Sequence, residues 1–220
     1  MNKSQLQIIE KTKTFVQQEL ANAEGGHDWW HIYRVWKTAS NIALEEKNVD
    51  VFVIQIAALL HDIADSKFHG GDENIGPEKA VSFLKQLKLN DNTINHIEAI
   101  IRNMSFKNTF DNITFTSPEL DVVTDADRLD AIGAIGIART FNYGGHKGSE
   151  IYNPNIKPNL NMTKKEYKNS NAPTVNHFYE KLFLLKDMMK TNTGKRLAEE
   201  RHTFMEIYLK QFYAEWDGEK

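Results

Sequence analysis

Val51-Phe52-Val53-Ile54-Gln55-Ile56-Ala57-Ala58-Leu59-Leu60-His61-Asp62 sets ten almost wholly apolar residues directly before a histidine and a carboxylate. Asp50 precedes the run as a helix cap, so the stretch predicts a buried helix that ends at His61. A histidine-carboxylate pair at the end of a core helix is costly to desolvate unless something compensates it. The commonest compensator is a cation held by imidazole and carboxylate together. A second polar cluster, Asp125-Ala126-Asp127-Arg128-Leu129-Asp130, lies on another segment that otherwise reads as a buried helix. His31, in Asp28-Trp29-Trp30-His31-Ile32-Tyr33-Arg34-Val35, offers a third candidate ligand from an earlier helix. Three separated segments thus predict one metal site.

Outward from this core, nearly every patterned segment repeats at helical spacing. Leu6, Ile9, Val16 and Leu20 predict a helix over about 3–23, stopped by Gly25-Gly26. A second helix is expected over Asp28 to Lys47, and the glycines of Phe68 to Gly76 read as a surface loop. Pro77 suits the first turn of a helix holding Ala80, Phe83, Leu84 and Leu87. Ile94, Ile97, Ile100 and Ile101 mark another, with Asp91 as its expected cap. Ser117-Pro118 opens the helix of the aspartate cluster, and a further helix takes in Ala131 to Phe141. Tyr143 to Ala172 shows no pattern and is long for a loop in a compact domain, so it reads as a lid or binding loop. Thr174 to Lys190 and Gly194 to Trp216 are expected as two amphipathic helices. The fold class is all-α.

Composition narrows the functional classes. The chain has 220 residues, 40% of them hydrophobic and 26% charged, with a formal net charge of -3, as in ordinary globular proteins. No apolar run approaches the ~20 residues needed to span a bilayer, and the polar N-terminus does not read as a signal peptide. The absence of cysteine removes disulfides and thiolate metal sites and fits a cytoplasmic location. A mildly acidic chain with no basic tract is a poor nucleic-acid binder.

Any metal must therefore be held by nitrogen and oxygen. His31, His61, Asp62 and one of Asp125 or Asp127 form such a set, suited to one divalent ion with open positions: Mn, Mg, Co, Ni, Fe or Zn. Asp125 and Asp127 point about 200° apart on a helix, so both cannot easily face one ion.

The order His31, then His61-Asp62, then a distant aspartate resembles the HD-domain metal-dependent phosphohydrolases. Gly26-His27-Asp28-Trp29-Trp30-His31, Leu59-Leu60-His61-Asp62-Ile63-Ala64-Asp65 and Asp125-Ala126-Asp127-Arg128-Leu129-Asp130 carry that resemblance. So do Ser105-Phe106-Lys107 and the string from Asn176 to Leu182, so that almost the whole chain is covered, in the manner of the nucleotide pyrophosphohydrolase-like subgroup. The resemblance implies a single HD-type domain over 1–220, a helical bundle with a core at about 24–132 and a C-terminal helical extension at about 133–220. It places the metal on His31, His61, Asp62 and Asp127, since the family's third element has its ligand directly before Arg-Leu. Asp125 or Asp130 would then orient a ligand, and Asp65 would move the proton of the attacking water.

Lys67 and Lys107 are the nearest motif-linked cations for phosphate oxygens, with Arg34 and Arg128 as others. His27 sits one turn before His31 as a contact to substrate or a second metal, and His177 falls inside a family-like string. His96 reads as a solvated face, Arg201 as a surface charge, and Trp29, Trp30, Trp36, Phe204, Phe212 and Trp216 as core. The expected activity is hydrolysis of a nucleoside triphosphate to monophosphate and pyrophosphate. A nucleoside monophosphatase, an alarmone hydrolase and a non-catalytic sensor of metal or nucleotide are the alternatives. The expected partner is a small-molecule nucleotide, with neither nucleic acid nor membrane, and a homodimer is compatible with this reading.

Overall fold

The computed structural model of the chain describes residues 1–21, 28–64, 72, 74–104, 115–162 and 170–220. Among them there is no strand, and the elements are helices throughout. The chain separates into two compact units, 1–127 and 128–220. No helix among the described residues is long and apolar enough to cross a membrane.

The first unit is built around the apolar run. Helices α1 (Lys3–Glu19), α2 (Trp29–Glu45), α3 (Val51–Leu60), α4 (Ile75–Gln86) and α5 (Asp91–Asn103) precede α6 (Pro118–Asp130), which crosses the division between the units. Every residue of α3 from Phe52 to Leu60 is buried, because α1, α2 and α5 all pack against it. Each large apolar side chain so buried contributes ~1.5–3 kcal/mol. The one polar side chain in the run, Gln55, accepts the indole N–H of Trp36 at 3.2 Å, which satisfies its oxygen inside the core. Phe15 of α1 stacks on Phe83 of α4 with ring centroids 3.9 Å apart.

Capping residues set the starts of these helices. Asp50 accepts the backbone N–H groups of Phe52 and Val53, and Asp28 accepts that of His31 at 2.9 Å. Asn90, not Asp91, caps α5 through the N–H of Thr93, and Asp91 takes the first helical position, where a negative charge suits the helix dipole.

In the second unit, α7 (Gly133–Lys147) runs six residues past Phe141 and absorbs the start of the patternless stretch. Gly144, within it, packs so closely on Thr174 that an added Cβ would collide with the threonine Oγ1. Gly148, in the left-handed conformation, stops it. The stretch beyond is closed at its neck by two backbone bonds, Thr174 N–H to Glu150 O at 2.8 Å and Val175 N–H to Ile151 O at 3.0 Å. The expected helix over 174–190 is broken. A short α8 (Asn176–Glu180) gives way at Lys181, whose φ of -144° is non-helical, to a 3-10 helix at Leu182–Met188. Then α9 (Asn192–Trp216) begins at a Thr191 cap. Phe178, fully buried, stacks on Tyr208 and meets Phe141 at the centre of this unit.

The expectation of aromatic core positions fails at three places. Trp30 is 61% exposed, and Phe204 and Trp216 are each about half exposed. Trp30 and Tyr33 instead form an edge-to-face pair on the outer side of α2, and Tyr33 continues it to Trp36.

Candidate metal centre

His31, His61 and Asp127 each place a ligand atom within 4.8 Å of the other two. His31 lies in the first turn of α2, fixed there by the Asp28 cap on its own N–H. His61 follows the last residue of α3, and Asp127 is one turn from the end of α6. The His31 Nε2 is 3.5 Å and the His61 Nε2 3.8 Å from Asp127 Oδ1. The imidazole side chains are 3% and 7% exposed, whereas the carboxylate is 41% exposed, so the cluster opens to solvent on its Asp127 side.

The orientation of His61 is fixed by a backbone carbonyl. Its Nδ1 lies 2.9 Å from Ala58 O, and since a carbonyl only accepts, Nδ1 donates there and Nε2 is the nitrogen turned to the cluster. Two bonds of about 2.1 Å reach about 4.2 Å end to end, so one ion can span both measured histidine-carboxylate edges. Two imidazole nitrogens and a carboxylate oxygen are the donor types that divalent cations of this class take. These residues fit a divalent metal, and three protein ligands leave positions for water or substrate.

The other expected site residues fall in several places. Asp62 is half-buried beside His61 but is not one of the three clustered groups. Successive residues on a helical turn project about 100° apart, which separates its direction from that of His61. Asp127, and not Asp125, joins the cluster, while Asp125 is fully buried on the other side of α6. The Asp130 carboxylate is paired with Arg139 within the second unit. Arg34 is half-buried on α2. Arg128 donates to Met188 O at 2.6 Å. His177 is held neutral, its pKa lowered to about 4 by burial and by the charge of Lys181. Four expected residues, His27, Asp65, Lys67 and Lys107, lie outside the described residues.

Two groups escaped the sequence reading. His96 is partly exposed, but it also has partners: its Nε2 lies 3.2 Å from Ser117 Oγ and 3.4 Å from the buried Glu119 carboxylate. Arg201 is not a surface charge either, since it donates to Leu129 O at the C-terminus of α6 while its stem packs on Gly133. Burial lowers the pKa of its guanidinium, opposed by the charges of Asp130 and Glu200. Gly133, at a φ of +73°, was the one available signal, because a left-handed position with no side chain leaves room for that stem.

Comparison with known proteins agrees with this geometry. The HD domain family matches residues 29–132, the segment that holds all three clustered residues. YpgQ of Bacillus subtilis is 34% identical over 218 residues, covering 97% of this chain and 96% of its own. An HD-superfamily hydrolase from Bacillus thuringiensis matches in structure with a TM-score of 0.78 at 42% identity, over 97% of this chain and 99% of that one. The crystal structure of YpgQ in complex with ADP matches with a TM-score of 0.74 at 34% identity, over 96% of each chain. With the histidine-aspartate cluster inside the matched segment and relatives aligned end to end, the chain belongs to the HD superfamily of hydrolases.

Proposed function

We propose that the chain is a divalent-metal-dependent nucleotide phosphohydrolase, and within that class a nucleoside triphosphate pyrophosphohydrolase. One observation carries the metal part: His31, His61 and Asp127 converge with their ligand atoms within 4.8 Å, and His61 is oriented through Ala58 O. The nucleotide part is supported by YpgQ, 34% identical over nearly its whole length and crystallised with ADP.

In this reading His31, His61 and Asp127 hold the ion, with Asp62 as the fourth protein ligand. The ion would supply Lewis-acid stabilisation of phosphate charge and an acidified water. Asp65 would accept the proton of the attacking water, a role worth typically 100- to 10,000-fold in rate. Lys67 and Lys107 neutralise the outer phosphates, and His27 and Arg34 complete the contacts from the neighbourhood of His31. Attack at the α-phosphorus releases pyrophosphate as the leaving group and leaves the nucleoside monophosphate.

Product analysis of a nucleoside triphosphate incubated with Mn²⁺ or Co²⁺ in ¹⁸O-water tests this. Equal amounts of monophosphate and pyrophosphate, with the label on the monophosphate and no diphosphate formed, are expected. Stepwise release of orthophosphate, or preference for monophosphates, would assign the protein to the phosphatases instead.

A further inference from the structure

We propose that Glu119 is a positioning residue of the candidate metal centre: it pins the N-termini of α3 and α6 together and so fixes the register in which His61 and Asp127 meet. The inference rests on the reading of His31, His61 and Asp127 as metal ligands.

Glu119 is a buried carboxylate in the first turn of α6. Its Oε1 accepts the backbone N–H of Asp50 at 2.8 Å, and Asp50 is the residue that caps α3. Its Oε2 lies 3.4 Å from His96 Nε2 of α5. Ser117 Oγ, beside it, accepts the N–H of Leu120 at 3.0 Å and lies 3.2 Å from the same His96 nitrogen. Three helices of the first unit are therefore tied at one point by a side chain that water hardly reaches. The groups facing Glu119 are Asp50, His96 and Ser117, and the two ionisable ones come from different helices.

From that point α3 and α6 run in the same sense. His61 follows Asp50 by roughly three turns, and Asp127 follows Glu119 by roughly two. The helices thus start at one junction and deliver their donors at another, where His61 Nε2 and Asp127 Oδ1 stand 3.8 Å apart. Sliding α6 by one residue moves Asp127 by about 1.5 Å along its axis, a large displacement against metal–ligand bonds of about 2.1 Å. Apolar burial is non-directional, whereas a hydrogen bond to one backbone N–H is directional and holds a single register.

Mn²⁺ titration followed by the electron paramagnetic resonance of the free ion tests the proposal, alongside thermal melting of the metal-free protein. Glu119→Ala should weaken Mn²⁺ binding by roughly ten- to a hundredfold, the range for groups that orient ligands, at temperatures where the variant is folded. Glu119→Gln keeps an oxygen for the Asp50 N–H and should bind Mn²⁺ close to the parent. Glu119→Asp keeps the charge but falls short of that N–H, and should behave like Glu119→Ala; it serves if the alanine variant does not fold. Phe83→Ala, which removes the stacking on Phe15, should lower the melting temperature and leave Mn²⁺ affinity intact. Parent-like Mn²⁺ binding by Glu119→Ala or Glu119→Asp, or equal losses in Glu119→Gln and Glu119→Ala, would overturn the proposal. A parent that binds no Mn²⁺, or a His61→Ala variant that binds it normally, would instead overturn the metal reading beneath it.

Discussion

His61 is turned toward Asp127 by a bond to its own helix: the imidazole Nδ1 donates to Ala58 O at 2.9 Å, three residues back on the chain. The last turn of an α-helix leaves carbonyls without intrahelical partners, and α3 uses one of them to aim a ligand. The histidine needs no further residue to fix its tautomer.

It follows that His61→Ala and Asp127→Ala should each weaken Mn²⁺ binding by more than roughly a hundredfold, beyond the usual effect of removing a group that merely orients a ligand. The two aspartates of α6 should separate by a second measurement. Asp127 is 41% exposed, so its loss should leave the metal-free protein within about 0.5 kcal/mol of the parent. Asp125 is fully buried and bonded, and Asp125→Ala should cost ~1–3 kcal/mol in urea denaturation. A metal-free Asp127→Ala as destabilised as Asp125→Ala would contradict the assignment.

Adjacent glycines in α7 should respond in opposite directions. A Cβ at Gly144 collides with Thr174 Oγ1, whereas one at Gly145 meets nothing within 4 Å. Gly145→Ala should stabilise by about 0.4–1 kcal/mol, since it restricts the unfolded chain in a helical position. Gly144→Ala should destabilise by ~1–3 kcal/mol, as overpacking does. Urea midpoints of the two variants decide it, and a stabilised Gly144→Ala would refute the close approach.

Gly133 and Arg201 should behave as one unit. An alanine at Gly133 sits at a φ of +73° and within 2.9 Å of the Arg201 stem, so Gly133→Ala should cost ~1–3 kcal/mol. Arg201→Ala removes the guanidinium from Leu129 O and should cost a similar amount. Because the two share one contact, the double variant should be less destabilised than the sum of the singles. Strict additivity in denaturation experiments would mean that the strain at Gly133 does not come from Arg201.

The pH dependence of stability should carry a signature of His177. Its pKa is lowered to about 4 in the folded protein from 6.5, by burial and then by Lys181. Between those values the unfolded chain takes up a proton that the folded chain refuses, so stability falls as the pH drops through that window and levels off below it. At most about 3 kcal/mol is lost this way. Denaturation at pH 7 and at pH 4.5 should show a smaller difference for His177→Asn than for the parent; an unchanged difference would exonerate this residue.

What the sequence disclosed depended on how local the signal was. The all-α architecture, the caps at Asp50 and the ends of α2 and α3 follow from periodicity and short-range chemistry, and the structure has them. The choice of Asp127 came from its place before Arg128-Leu129, and the structure puts its oxygen beside both histidines. Lys181 was illegible, because the backbone break there leaves no mark in an amphipathic pattern. The role of Gly144 was illegible too, since only the fold shows that it permits a close helix-to-loop approach. Glu119, His96 and Arg201 were assigned to the surface or passed over, since charge on an amphipathic helix usually faces water and only tertiary contacts bury it.

The burial of α3 from Phe52 to Leu60 also matters before the protein has folded. Phe52 to Leu60 carries no charge and no proline, and several of its residues favour extended structure, so in a nascent or refolding chain it is the segment most prone to self-association. Its brackets are Asp50 on one side and Asp62 on the other, the placement that natural sequences use to keep such stretches apart. Asp62→Ala thus removes one of the two charges guarding the unfolded chain, and a lower yield on refolding would follow from that loss whether or not an ion is ever bound.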